Sequence, residues 1–459
     1  MTFTEILDQI PEYKEFMTIS ELDDSSKLLA NNFDNVELKE IGKSREKRPI
    51  YCLKIGEGKK NALLFAFPHP NEPIGSLSLE FLSHFLAKNP EITKETCYTW
   101  YLIKAIDIDG AILNEGWFKG DFTPIKYARN FYRPAGHEQI EWSFPIKYKK
   151  LVFETPPPET QALIGLMQEI KPQFMTSLHN SAFGGVYFYV TRGIGNIFAD
   201  LTEFVKREGL PLHLGEPESP YIKKLHDAIF QTFGTQQMYD FAEAKGIENP
   251  QEFIKIGNSS FDYIRSITNE ENFTLVCEIP YFYHNSIKDT SLTDFDRRDL
   301  CIQSLEYKKD IYRYSRKVFN RVKKFSNRSS RMYTAVADYM RRTRPELDIG
   351  INDAKISSMY EGKATVSQAF DFNIASRYYS LLTISMIVRL CEDAISFHPK
   401  NEGEINEIKN DFQKWAEQKI NELLEGIKIE VIPIQKLVRI QIGSFFITLE
   451  NLAKERGFY

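Results

Sequence analysis

Three observations predict an α/β fold, a mixed and largely parallel sheet flanked by helices, with a mostly helical C-terminal region. Between residues 36 and 290, runs of β-type residues alternate with segments of helical spacing, as in strands joined by crossover helices. Ala62–Phe67 and Phe174–Leu178 are continuously apolar, the pattern of buried strands. Beyond Ser291 the alternation stops and long helical stretches take over.

The elements follow in order. Residues 1–35 read as short helices punctuated by Pro11 and the Asp23-Asp24-Ser25-Ser26 cluster. Val36–Ile41 and Pro49–Ile55 flank the charged turn Gly42–Arg48 and predict a hairpin. Ala62–Phe67 predicts a buried strand ending at Pro68, and Leu77, Phe81 and Phe85 set the helical spacing of Ser76–Leu86. Strands are expected at Thr96–Ile106, Phe174–Leu178, Val186–Val190 and Phe273–Cys277, with a helix at Pro158–Ile170. Long helices are expected at Asp296–Met340, Phe372–Ser396 and Glu404–Glu425, then a strand pair at Ile427–Val431 and Leu437–Ile442. This divides the chain into a helical segment 1–35, an α/β domain 36–295 and a mainly helical domain 296–459.

The 459 residues, 42% hydrophobic and 26% charged, are too many for one ordinary core and too apolar for disorder. A net charge of −5 excludes a surface given over to nucleic acid. No stretch approaches the ~18 apolar residues of a membrane span, and the start lacks the basic and apolar regions of a secretory leader. A cytoplasmic protein without membrane contact is therefore expected. The five cysteines are far apart with no CxxC pair, so metal chemistry falls to histidine and carboxylate. Between residues 306 and 344, 13 Lys or Arg stand against 3 Asp or Glu. A solvated helical face packed on an acidic domain is the expected reading, and a docking site for an acidic substrate or partner the sharper one.

Phe67-Pro68-His69-Pro70-Asn71-Glu72-Pro73 places a histidine and a carboxylate three residues apart in the loop leaving a buried strand, where α/β proteins build sites. His179 lies where the strand Phe174–Leu178 is expected to end, before Gly184-Gly185. Two imidazoles and a carboxylate form an open zinc site with room for a water. Glu278, at the mouth of the strand Phe273–Cys277, can take that water's proton.

The HPNEP loop, the segment Ile106–Gly110, the run Ala128–Phe131, the SLHNS segment around His179 and the strand ending in Glu278 resemble, in order, the zinc metallocarboxypeptidase family M14. The resemblance spans roughly residues 35 to 285. It implies one Zn²⁺ per chain on His69, Glu72 and His179, with Glu278 as general acid/base. The family holds the substrate's terminal carboxylate with an Asn-Arg pair; Arg129 matches the arginine, Ala128 replaces the asparagine, and Asn130 or Asn180 is left to compensate. The interval Ala111–Lys119 lacks the family's oxyanion arginine, which leaves Lys119 or Arg133 for that charge. Phe261 falls at the family's side-chain selectivity position and implies an apolar pocket. The pocket tyrosine is unmatched at Ile254, with Tyr263, Tyr281 or Tyr283 as replacements.

The expected function is removal of a C-terminal amino acid from a peptide by a zinc-activated water. The alternative is amide hydrolysis of N-acyl amino acids or γ-linked cell-wall peptides; either substrate carries a free carboxylate. A third reading, a scaffold that lost the chemistry, sits poorly with His69, Glu72, His179 and Glu278 all present.

Overall fold

A ten-stranded mixed sheet crosses the middle of the structure, a computed structural model that describes residues 3–455. Its strands are β1 Val36–Lys43, β2 Pro49–Ile55, β3 Lys60–Ala66, β4 Tyr98–Ile103, β5 Phe174–Phe183, β6 Tyr187–Val190, β7 Lys224–His226, β8 Ile229–Gln231, β9 Phe273–Tyr283 and β10 Glu430–Val431. They lie in the order β1-β2-β4-β3-β5-β9-β6-β8-β7, with β10 paired to β9. The centre, β4-β3-β5-β9, is parallel, and the β1-β2 hairpin joins it antiparallel. Every residue of β5 is buried, because helices cover both faces of a parallel sheet and leave no side for polar alternation.

The helices used below are α1 Ile19–Asn32, α2 Ile74–Lys88, α3 Pro124–Asn130, α4 Pro158–Ile170, α5 Arg297–Val322, α6 Arg331–Ile356, α7 Ser376–Phe397, α8 Glu402–Leu424 and α9 Ile434–Glu455. The expected α/β class, sheet and helical C-terminal region are all present.

Several elements differ in extent or kind. Strands β5 and β9 run on to Phe183 and Tyr283, so His179 and Glu278 sit within strands rather than at their ends. The Asp23–Ser26 cluster lies inside α1, whose start is set by a capping box between Thr18 and Glu21. The long helix expected at 296–340 is broken between Val322 and Arg331. The strand expected at Leu437–Ile442 is part of α9. That helix is buried on most sides against α2, the helix Ile197–Arg207 and β9, so within Leu437–Ile442 too few polar residues fall to distinguish helix from strand.

The C-terminal helices share one apolar core with the sheet, taking in residues from Ile6 to Leu452. In α9, Gly443 lets the helix touch Phe204, since an added Cβ would fall 2.2 Å from that ring. Two residues earlier, the Gln441 amide donates to the His179 carbonyl at 3.1 Å and its oxygen accepts from Ser78 Oγ at 2.7 Å. Arg331, at the start of α6, enters a buried group of carboxylates on the other part of the chain. Its Nη2 lies 2.8 Å from Asp109 Oδ2 and 3.7 Å from Glu159 Oε1, and its Nη1 3.8 Å from Asp107 Oδ1. Burial pushes the Asp107 carboxyl up to about 7 even though Arg331 opposes the rise. Among the described residues no helix is long and apolar enough to cross a membrane.

Candidate metal centre

The first motif leaves β3 through a strained turn. Phe67 is fully buried with φ of +55°, a region a bulky side chain adopts only when its surroundings impose it, at about 1–3 kcal/mol. Its ring stacks on Phe118, centroids 6.2 Å apart, which fixes the turn and aims His69 back across the strand ends. His179 and Glu278 come from neighbouring parallel strands, paired directly in register.

The three motifs meet at Glu72. Its Oε1 lies 3.0 Å from His69 Nδ1 and its Oε2 2.9 Å from His179 Nδ1, with the imidazole centroids 4.9 Å apart. All three side chains are buried, and one ligand atom from each falls within 4.8 Å of the others. The far nitrogen of His179 is held by Ser177 Oγ at 3.1 Å and Glu141 Oε2 at 3.3 Å, which orients the ring. Glu141 is itself fixed by Ser260, through the backbone N–H at 3.0 Å and the hydroxyl. His69 Nε2 is buried with no hydrogen-bond partner among the described residues, so no protein group claims that nitrogen. Two imidazoles and a carboxylate in this arrangement fit zinc.

The local field favours ligation at His69 and Glu72, whereas at His179 the lowering by burial is outweighed by the hydrogen bonds to Glu141 and Glu72, which hold its imidazole well above the usual range. Burial, helped by the Arg133 charge, brings the His69 imidazole down to about 4, which keeps it neutral and able to donate a lone pair. Burial alone would raise Glu72, but the two histidines hold its carboxyl well below the usual range. Glu278 Oε1 is 3.7 Å from His179 Nδ1. Burial lifts its carboxyl well above the usual range, with His179 opposing and Glu72 adding to the rise.

The family model for zinc carboxypeptidases matches residues 24–303. The chain belongs to the zinc carboxypeptidase family. It is a metallocarboxypeptidase, a peptide hydrolase of a family of zinc enzymes, and it presents a His-Glu-His group that can hold the metal. Among solved structures, carboxypeptidase A from Helicoverpa armigera is 17% identical, with 62% of this chain and 72% of that one covered and a TM-score of 0.38. Bovine thrombin-activatable fibrinolysis inhibitor, solved with tick carboxypeptidase inhibitor, is 13% identical, with 58% and 87% covered and a TM-score of 0.36. A metallo-carboxypeptidase from Burkholderia cenocepacia is 14% identical, with 60% and 61% covered and a TM-score of 0.36. No curated protein matches.

In this carboxypeptidase the centre opens into a cavity of about 910 Å³. Of the residues singled out in the sequence, His69, Glu72, His179, Glu278, Arg133, Phe261 and Asn180 line it. Arg133 Nη1 donates to Glu72 Oε1 at 3.1 Å and its Nε to Gln139 at 3.3 Å. Phe261 forms an aromatic wall with Trp142 and Phe233, ring centroids 6.0 and 6.4 Å from its own.

Other candidates are not brought to the centre. Arg129 is half-exposed on α3 and paired with Glu417 at 2.6 Å, because Tyr127 and Ala128 take the buried side of that helix and the next residue turns ~100° away. Asn130 caps its own helix, donating to the Lys126 carbonyl at 3.0 Å. Lys119 is a surface residue bound to Glu21 at 2.8 Å. Tyr263, Tyr281 and Tyr283 are also outside the cavity; their hydroxyls meet Gln168, the Asn71 carbonyl and Asn285.

The cavity also contains three groups that the sequence does not single out: Glu141, in the stretch His137–Trp142 expected to line the entrance, Tyr379 of α7, and Lys308 of α5, in the basic stretch 306–344. Glu141 carried a faint signal as a lone acid between Ile140 and Trp142. The other two lie far along the chain from any motif. The Tyr379 hydroxyl accepts the Ala182 N–H at 2.7 Å, which leaves its own proton free to donate into the cavity.

Proposed function

We propose that the protein removes C-terminal residues from peptides, with His69, Glu72 and His179 holding one zinc ion and Glu278 as general acid/base. The observation that carries this reading is the convergence of His69, Glu72 and His179 beside Glu278 at the floor of one cavity. Bound there, zinc would polarise the scissile carbonyl and make an attacking water more acidic. Glu278 takes that water's proton on its carboxylate and delivers it to the leaving nitrogen. Arg133 donates to the carbonyl oxygen as negative charge develops on it. The wall of Phe261, Trp142 and Phe233 receives an apolar side chain and excludes water from it. The free proton of Tyr379 meets the substrate's terminal carboxylate, a role that the outward-facing Arg129 leaves open.

The test is mass spectrometry of a mixed peptide library incubated with zinc-loaded protein and with chelator-stripped protein. Stepwise loss of C-terminal residues by the zinc form alone is expected. Intact peptides, together with hydrolysis of N-acyl amino acids or γ-linked peptides, would overturn the reading. The assignment of the two arginines is tested separately. Arg133→Gln should lower kcat/KM by ~10²-fold, whereas Arg129→Ala should leave it unchanged; the reverse result would return the clamp to α3.

A further inference from the structure

The far wall of the cavity is built by the C-terminal helices, through Lys308 of α5 and Asp338, Arg341, Arg342 and Glu346 of α6. The charges on α6 neutralise one another. Arg341 Nη2 donates to Asp338 Oδ1 at 2.6 Å, and Arg342 Nη1 to Glu346 Oε1 at 3.1 Å. This wall is fixed to the rest of the protein, since Asp338 Oδ2 accepts the Gly136 N–H at 3.0 Å and Arg341 Nη1 reaches the Phe253 carbonyl at 3.3 Å.

Lys308 is the exception. It lines the cavity, half-buried, with no hydrogen-bond or ion-pair partner among the described residues. Glu346, whose charge it feels, is already engaged by Arg342. Burial among the cavity walls holds its ammonium below the usual lysine range, and no protein anion among the described residues is paired with it to offset that cost. An anion entering the cavity would relieve that cost. A space of about 910 Å³ holds more than one C-terminal residue, so the chain preceding the scissile bond also lies within it.

We propose that Lys308 receives a substrate carboxylate remote from the scissile bond, so that the enzyme selects peptides with an acidic side chain upstream of the C-terminal residue. The inference rests on the carboxypeptidase reading. It turns the basic stretch of α5 and α6 into part of the specificity apparatus, with Lys308 as a specificity residue donating an N–H to the incoming carboxylate.

The test is a binding measurement, so it does not depend on turnover. Two peptides with the same C-terminal residue, one with glutamates and one with glutamines before it, are titrated calorimetrically into zinc-loaded Glu278→Gln protein. The same titrations are made with Lys308→Met and Lys308→Arg added in that background, after matched zinc content and thermal melts show intact folding. The glutamate peptide should bind at least ~10-fold tighter, corresponding to ~1.4 kcal/mol. Lys308→Met should abolish the difference, and Lys308→Arg should keep most of it. Equal affinities in the parent, no binding of either peptide, or a preference that survives Lys308→Met would overturn the proposal. A preserved preference in a wild type that shortens neither peptide would count against the carboxypeptidase reading alone.

Discussion

Glu278→Gln is expected to keep a full complement of zinc and lose ~10²–10⁴-fold in kcat, the range supplied by a positioned general acid/base. The substitution is nearly isosteric, and the carboxylate that joins the two histidines belongs to Glu72. Glu278 stands beside that group, 3.7 Å from His179 Nδ1, so the metal-binding atoms remain in place when it is replaced. What the amide cannot do is take a proton. Metal analysis and steady-state kinetics on the same preparation separate the two roles. A variant that turns over at the wild-type rate would remove Glu278 from the mechanism, and one that loses zinc would make it part of the metal site.

The second large effect is on stability. Arg331→Met should destabilise the protein by about 3–5 kcal/mol, as expected when one partner of a buried ionic group is removed and the others are left without their counter-charge. Asp109 keeps Arg48 at 2.6 Å and Ser44 at 2.8 Å, and Glu159 keeps Arg45 at 3.7 Å, but Asp107 loses its one cation within 4 Å among the described residues, and both Asp107 and Glu159 lose the tie to α6. The deficit should depend on pH. A carboxyl with a raised folded pKa, as Asp107 has at about 7, favours folding below its unfolded value near 3.8 and loses that contribution as pH rises through 7. Arg331 limits this loss by stabilising the ionised form. Without it, the variant should be closest to wild type in acid and fall further behind as the pH increases. Urea unfolding at pH 5 and pH 8 measures the difference; an equal deficit at both would rule out the ionic explanation.

The sequence was most legible where chemistry and backbone periodicity coincide. His69, Glu72, His179 and Glu278 could be found because each follows or occupies a strand whose apolar run is distinctive, and a parallel sheet brings such strands side by side. Where the reading went astray, the cause was usually geometry finer than spacing. A motif match located Arg129, but only the burial of Tyr127 and Ala128 on α3 decides that its guanidinium faces Glu417 rather than the cavity. The reading did name Arg133 as one of two possible charges, and Lys119 is set apart from it by its bond to Glu21. Tyr379 carries no signal in the sequence, and Lys308 is legible only as one of the basic residues of 306–344, since both reach the cavity through helix packing far along the chain from the motifs. In α9 the failure was one of window: over Leu437–Ile442 alone the apolar residues also fit a strand, and the polar face of Lys436, Arg439, Glu450 and Lys454 shows only over the whole helix.

The bond from Gln441 to the carbonyl of His179 spans 262 positions of sequence. The strand carrying that histidine is therefore finished by a segment that leaves the ribosome long after the strand itself. Residues 24–303 hold every group of the His-Glu-His set, yet while only they have been made, β9 lacks its pairing with β10 and β5 lacks the amide that meets it from α9. The surroundings of the His-Glu-His set are therefore completed only once α9 has docked on β5 and β9, a contact of high sequence separation that forms late in folding.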